Sequence, residues 1–230
     1  MKISGFEKMS LVDFDTLVAA TVFTGGCNFR CGFCHNSPLV IDTNNLPTIP
    51  EEEILDYLKK RKGIIDGVCV SGGEPTLNKD LPEFIIKLKD LGYKVKLDTN
   101  GTNPQLVKDL YSNKLVDYFA MDIKNDKDNY AEIIGFKDYD VTKICETVEF
   151  FLTNDVDYEF RTTLVKEFHN KQNIINIGKW IKGANKYFLQ KFKDTENCIE
   201  RGFSAVPDDL ANDFIILLTP YIPNAKLRGY

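Results

Sequence analysis

Apolar residues occur along this chain in short β-branched or aromatic runs, separated by longer stretches in which they recur every three to four positions. Thr16 to Phe23 (TLVAATVF) has the composition of a buried strand and runs into Gly25-Gly26, a loop signal. Thr48-Ile-Pro-Glu51 then opens a helix with capping-box spacing, a proline in its first turn and acidic residues that complement the helix dipole. Ile54, Leu55 and Leu58 form its expected inner face. The alternation continues with strands at 67–70, 93–98, 116–123, 158–165 and 186–192, and helices at 80–91, 103–111, 141–152, 173–182 and 208–218. Strands alternating with helices of this length imply right-handed parallel crossovers, so the expected class is α/β, a parallel sheet with helices outside. Six βα units are countable, and the polar run Lys124 to Asp128 reads as a strand-end loop. Six units fall two short of a closed eight-stranded barrel, which leaves an open side, and functional loops belong at the C-terminal ends of the strands.

Length and charge narrow the partners. The sequence shows no internal repeat, no Pro- or Ser-rich linker and no second compositional zone, so residues 1–230 read as a single domain. A chain of this size buries roughly 70 to 75% of its unfolded surface, so a metal is not needed to hold the fold and would serve chemistry. Lys plus Arg is 29 and Asp plus Glu is 34, a net charge of −5 with both signs interspersed, which argues against a nucleic-acid partner. The longest apolar stretch, Phe214-Ile-Ile-Leu-Leu218, is too short to span a bilayer, and Met1-Lys-Ile-Ser-Gly-Phe6 has no apolar core of signal-peptide length. The expectation is a cytoplasmic protein with no membrane partner.

Six cysteines in such a compartment point to metal or redox chemistry rather than disulfides. Cys69, Cys145 and Cys198 stand apart and read as buried small hydrophobes. Cys27, Cys31 and Cys34 form a C-x3-C-x2-C loop at the end of the first predicted strand. Three soft thiolates suit three corners of a cubane iron-sulfur cluster, and the missing fourth cysteine leaves one iron open to a chelating small molecule. Structural zinc is the alternative. It usually shows a second cysteine pair downstream, which the other cysteines do not supply, and His35 directly after Cys34 would strain a tetrahedral site.

Other predicted strand tips carry polar groups. Ser71-Gly72-Gly73-Glu74-Pro75-Thr76 follows the second strand, where paired glycines let a ligand approach the backbone, although a plain tight turn has the same signature. Asp98-Thr99-Asn100-Gly101 ends the third strand and Met121-Asp122-Ile123-Lys124 the fourth. Asp122 and Lys124 are two apart and so share a face, and a solvated strand end is the alternative to a ligand there. Arg161, within the fifth strand, needs an anionic partner such as a ligand carboxylate unless it lies at an edge in water. His169, in the next loop, reads as a surface residue.

The three-cysteine loop after strand one, together with Gly-Gly-Glu-Pro after strand two, resembles the radical S-adenosylmethionine superfamily. Cys-Gly-Phe-Cys-His-Asn, Ser-Gly-Gly-Glu-Pro-Thr, Asp-Thr-Asn-Gly and Met-Asp-Ile-Lys are similar to the activating enzymes of glycyl-radical enzymes, in particular those serving anaerobic ribonucleoside-triphosphate reductase. The resemblance covers roughly residues 16 to 192 by motif order, and the length suits members without an inserted ferredoxin-like domain. It implies a partial (β/α)6 barrel and two cofactors, a 4Fe-4S cluster on Cys27, Cys31 and Cys34 and S-adenosylmethionine on its open iron. It further implies Phe33 and His35 beside the adenine, and Gly72, Gly73 and Glu74 at the methionyl amino group. Asp122 and Lys124 would meet ribose and carboxylate, with Arg161 near the sulfonium or carboxylate end. Where relatives carry a cofactor-contacting histidine on the sixth strand, this sequence has Gln190; Asp98 and Thr99 resemble a cation site of some relatives. The implied partners are a glycyl-radical enzyme and a flavodoxin- or ferredoxin-like reductant. A small-molecule radical enzyme similar to 7-carboxy-7-deazaguanine synthase is the competing resemblance.

Overall fold

The computed structural model describes residues 1–43 and 45–230. The chain forms two compact units, Met1–Asn28 with Pro38–Thr99 and Asn103–Ala120, and Phe29–Ser37 with Asn100–Thr102 and Met121–Tyr230. Its strands are β1 Ile3–Ser10, β2 Ala19–Thr24, β3 Gly67–Gly72, β4 Lys94–Thr99, β5 Tyr118–Asp122, β6 Tyr158–Leu164, β7 Tyr187–Lys191 and β8 Ala225–Arg228. They are ordered β1 to β8 as in the chain. Strands β2 to β7 are the six expected from the sequence, most of them shifted or trimmed at their ends by one to three residues. Two strands were not legible. Strand β1 (ISGFEKMS) has a glycine and two charges where a strand run would be apolar, and β8 is four residues long. Strand β1 is also antiparallel to β2, from Ile3 opposite Thr24 to Ser10 opposite Ala19, so it lies outside the βα rhythm.

In the first unit β2 pairs parallel to β3 and β3 to β4, with Ala19 opposite Gly67 and Gly67 opposite Lys94. Helices α1 Ser37–Ile41, α2 Glu51–Lys60, α3 Leu81–Asp90 and α4 Pro104–Ser112 occupy the crossovers. Helix α3 buries Leu81, Phe84, Ile85 and Leu88, a 3.6-residue stripe. Two expectations for α2 need correcting. Pro50 is its N-cap rather than a first-turn residue, and no side chain caps it, because the helix begins at Glu51 and leaves Thr48 outside. Ile54 and Leu58 are buried but Leu55 is only half-buried, since the helix's inner stripe is one residue narrower than the sequence suggests. The acidic first turn, Glu51 to Glu53, does complement the dipole.

In the second unit β6 pairs parallel to β7 and β7 to β8, with Phe160 opposite Tyr187 and Tyr187 opposite Ala225. The remaining helices are α5 Tyr130–Ile133, α6 Thr142–Thr153, α7 Lys171–Trp180 and α8 Asp208–Leu218. Helix α7 starts two residues earlier than expected because Asn170 caps it and Asn173 returns the capping-box bond. Phe151, Tyr158 and Phe160 pack at centroid distances of 4.9 to 6.1 Å in the core, the first two stacked and Phe160 tilted against both. Of the isolated cysteines, Cys69 and Cys198 are buried as expected and Cys145 is half-buried.

Candidate active site

In the first unit, the glycine-rich turn after β3 sits directly on the turn that carries Cys27. Gly73 N donates to Thr24 O at 2.9 Å and Glu74 N to Gly26 O at 2.8 Å. A Cβ on Gly73 would lie 1.9 Å from Gly26 O, and one on Gly72, whose φ is +125°, would lie 2.3 Å from Thr24 N. Both positions therefore require glycine, one for contact and one also for its backbone conformation. Glu74 is buried, and its Oε1 accepts from Thr76 N at 3.1 Å, Thr76 Oγ1 at 2.5 Å and Thr99 Oγ1 at 2.9 Å. This carboxylate ties the tips of β3 and β4 together and caps the short 3-10 turn at Pro75–Leu77. Asp98 accepts from Ser71 Oγ at 2.9 Å and lies 3.7 Å from the Lys96 ammonium. The Asp98-Thr99 tip thus already faces a cation of the chain itself.

In the second unit, Cys31 and Cys34 lie on a loop that is held along most of its length. Arg30 N donates to Ile134 O at 2.9 Å and Cys34 N to Cys31 O at 3.0 Å. The connection between β7 and α8 straps the loop from another side: Glu200 N donates to Gly32 O at 2.7 Å, Ser37 N to Asn197 O at 3.3 Å, and the Cys198 thiol reaches Phe33 O at 3.9 Å. Phe33 is buried between Phe168 and Phe192, at ring distances of 6.2 and 6.3 Å. His35 is exposed; its ring stacks on Phe192 at 5.3 Å and its Nε2 is 2.6 Å from Lys193 O. Burial pushes the Cys34 thiol up from its ordinary value, so a metal must displace its proton.

The tip of β5 meets the middle of β6 in the same unit. Asp122 Oδ2 is 3.0 Å from Lys124 Nζ, as a shared face requires, and Asp122 Oδ1 accepts from Arg161 Nε at 2.9 Å. The anionic partner demanded by Arg161 is therefore within the chain. Behind it, Glu159 is 1% exposed and receives both guanidinium branches of Arg228 at 3.1 and 3.0 Å. Arg228 lies 3.7 Å over the Phe188 ring, and Gln190, half-buried, is flanked by Thr163 on β6 and Arg228 on β8. Sequence reasoning missed Glu159 and Arg228; the signal was the i, i+2 pair Glu159 and Arg161 in an otherwise apolar strand.

Burial alone would raise the Asp122 carboxyl, but Arg161 and Lys124 outweigh it and hold it at about 2. Burial alone would lower Lys124, and the Asp122 carboxylate outweighs it and raises the ammonium. Both groups are charged at neutral pH. A carboxyl depressed from 3.8 stabilises the fold fully above pH 4 and loses that contribution as pH falls through about 2. Asp122→Asn is therefore expected to cost up to about 2 kcal/mol at pH 7 and almost nothing near pH 2, a gap that urea unfolding across that range would measure. An equal cost at both ends would remove the ion pair as its cause.

One sequence expectation is overturned here. His169 is not a surface residue: it is 2% exposed, with Nε2 2.9 Å from Lys124 O and Nδ1 3.0 Å from Val165 N. The loop after β6 turns inward because Phe168 N and His169 N both bond to Val165 O, which carries the imidazole under the β5 tip.

These features fit an iron-sulfur cluster and a small zwitterionic ligand. None of the six cysteines is in a disulfide, and three of them, Cys27, Cys31 and Cys34, fall within eight residues of the chain. Thiolates are the ligands such clusters take. The first unit has bare backbone at Gly72 and Gly73, and the second, taken by itself, has the charged Asp122–Lys124–Arg161 group.

Residues 21–180 match the Radical SAM superfamily. The chain is 32% identical over 236 aligned residues to a Methanocaldococcus jannaschii protein named as a glycyl-radical enzyme activating enzyme, covering 98% of this chain and 95% of that one. It is 34% identical to the pyruvate formate-lyase-activating enzyme of Clostridium pasteurianum, covering 82% and 80% of the two. Among solved structures it superimposes on Streptococcus suis SuiB with a TM-score of 0.71 at 17% identity, over 91% of this chain and 48% of SuiB; the chain spans about half the length of that protein, and the likeness is one of fold. With its motifs, strand order and near end-to-end alignment in agreement, the chain belongs to the radical S-adenosylmethionine superfamily, whose cofactors are a 4Fe-4S cluster and S-adenosylmethionine, and within it to the activating enzymes of glycyl-radical enzymes.

Proposed function

We propose that this activase serves anaerobic ribonucleoside-triphosphate reductase, taking hydrogen from a backbone glycine of that enzyme with electrons from a flavodoxin- or ferredoxin-like protein. The observation that carries the site assignment is the seating of the Gly72-Gly73-Glu74 turn on the Gly26-Cys27 turn, which puts the sequence's two most distinctive motifs in one backbone contact. Cys34-His35-Asn36 and Asp122-Ile123-Lys124 favour an activase over a deazaguanine-type enzyme, and the choice of reductase follows the resemblance of the whole motif set. In this reading residues 1–230 act as one catalytic domain.

Cys27, Cys31 and Cys34 would each ligate an iron. When bound, the reduced cluster and S-adenosylmethionine supply a 5′-deoxyadenosyl radical, which removes hydrogen from the substrate. The chain's own residues bind and orient. The open backbone at Gly72 and Gly73, with Glu74 behind it, receives the methionyl amino group. Lys124, kept protonated by Asp122, takes the carboxylate, and Asp122 takes the ribose. Arg161 lies next to that pair toward the sulfonium or carboxylate end, Gln190 stands where relatives place a histidine, and Phe33 and His35 border the adenine, largely through their backbone. A primary radical attacks whatever it touches, so holding its carbon beside the glycine and excluding water are the protein's main tasks. Among the described residues no helix is long and apolar enough to cross a membrane, and we place the reaction in the cytoplasm without a nucleic-acid partner.

Anaerobic incubation of the reconstituted, reduced protein with S-adenosylmethionine and the reductase should give a glycyl-radical doublet by electron paramagnetic resonance. A doublet on pyruvate formate-lyase instead would correct the partner. Absence of any doublet, with turnover of a pterin-like substrate, would favour the deazaguanine-type reaction.

A further inference from the structure

Strand β5 ends at Asp122, and side chains from the second unit bond to the carbonyls just beyond it. Thr162 Oγ1 donates to Ile123 O at 2.6 Å, and His169 Nε2 lies 2.9 Å from Lys124 O. The Lys124 carbonyl can only accept, so Nε2 carries a proton, while Nδ1, 3.0 Å from the Val165 N–H and 3.1 Å from Val165 O, accepts from that N–H in the neutral ring. The neutral ring then has its proton on Nε2 and gives it to the Lys124 carbonyl. Burial lowers the imidazole's pKa, which keeps that tautomer neutral. A neighbouring bond, Asn125 Nδ2 to Phe168 O at 3.1 Å, joins the same two loops.

We propose that His169 is a positioning residue for the activation reaction, fixing through the Lys124 carbonyl where the Lys124 ammonium stands for the carboxylate of S-adenosylmethionine. The inference rests on the ligand contacts proposed above but concerns a residue that makes none of them. A purely structural histidine would serve Val165 and Lys124 alike. A positioning one acts through Lys124, and two amide side chains separate these roles. In His169→Asn the amide oxygen can replace Nδ1 as acceptor for Val165 N–H, while the donor to Lys124 is lost. In His169→Gln the amide nitrogen can reach the Nε2 position and keep that donor, while the acceptor is lost.

The experiment measures the Kd of S-adenosylmethionine for each anaerobically reconstituted protein, and separately the rate at which acetic anhydride acetylates Lys124 in the protein without its cluster, read by mass spectrometry. His169→Asn is expected to weaken binding about tenfold, the worth of one hydrogen bond, and His169→Gln to stay within about threefold of the parent chain. Lys124 acetylation should rise in the Asn variant and not in the Gln variant. Equal effects of the two substitutions on both measurements would overturn the proposal. If the parent chain itself fails to bind S-adenosylmethionine, the ligand reading falls, while the acetylation rates still decide whether His169 sets the position of Lys124.

Discussion

Cys31→Ala protein, reconstituted without oxygen, is expected to lose its iron and its charge-transfer absorbance while keeping the far-ultraviolet circular dichroism of the parent chain. Cys31 is 6% exposed on a loop held by Ile134 and the 197–200 strap, and the packed strands carry the core without it. Losing an outer-shell partner alone costs about 10 to 100-fold in metal affinity, so losing a ligand should cost more and leave reductive cleavage at background. Iron analysis and product chromatography check the two halves. Full iron content or undiminished cleavage would refute the ligand assignment, whereas a collapsed dichroism spectrum would show that the fold leans on the cysteine loop.

Gly73→Ala has the second largest expected effect, for a steric rather than a chemical reason. Its new methyl would stand 1.9 Å from Gly26 O and 3.3 Å from Cys27 N, both backbone atoms that no rotamer change can move. The Gly26-Cys27 turn must shift, and a displacement of about 1 Å at a reacting site can cost about 100-fold in rate. Overpacking adds about 1 to 3 kcal/mol, which corresponds to roughly 2 to 12 °C in Tm for a chain of this size. Calorimetry and cleavage assays on the reconstituted variant would show both, and a variant of unchanged Tm and rate would mean that the contact is not tight.

How much was readable beforehand depends on the range of the interaction. The six parallel strands and the C-x3-C-x2-C loop declare themselves locally, through apolar runs such as TLVAATVF and through spacing inside eight residues. Glu159 and Arg228 are 69 residues apart in the chain, and nothing near either announces the bidentate pair they form. His169 misled for a related reason. Its neighbours Lys166, Glu167 and Asn170 are polar, and only the bonds of Phe168 N and His169 N to Val165 O turn the ring inward. Strand β1 was invisible because antiparallel edge pairing tolerates Gly5, Glu7 and Lys8, which a central strand would not.

The strap between β7 and α8 has a temporal side. Cys198, which reaches back to Phe33 O, is 165 residues later in the chain than the loop it covers. At a synthesis rate of about 5 to 20 residues per second, the ribosome delivers that cover roughly 8 to 33 s after the cysteines have emerged. During that interval the 31–34 loop has been made without the segment that will cover Phe33.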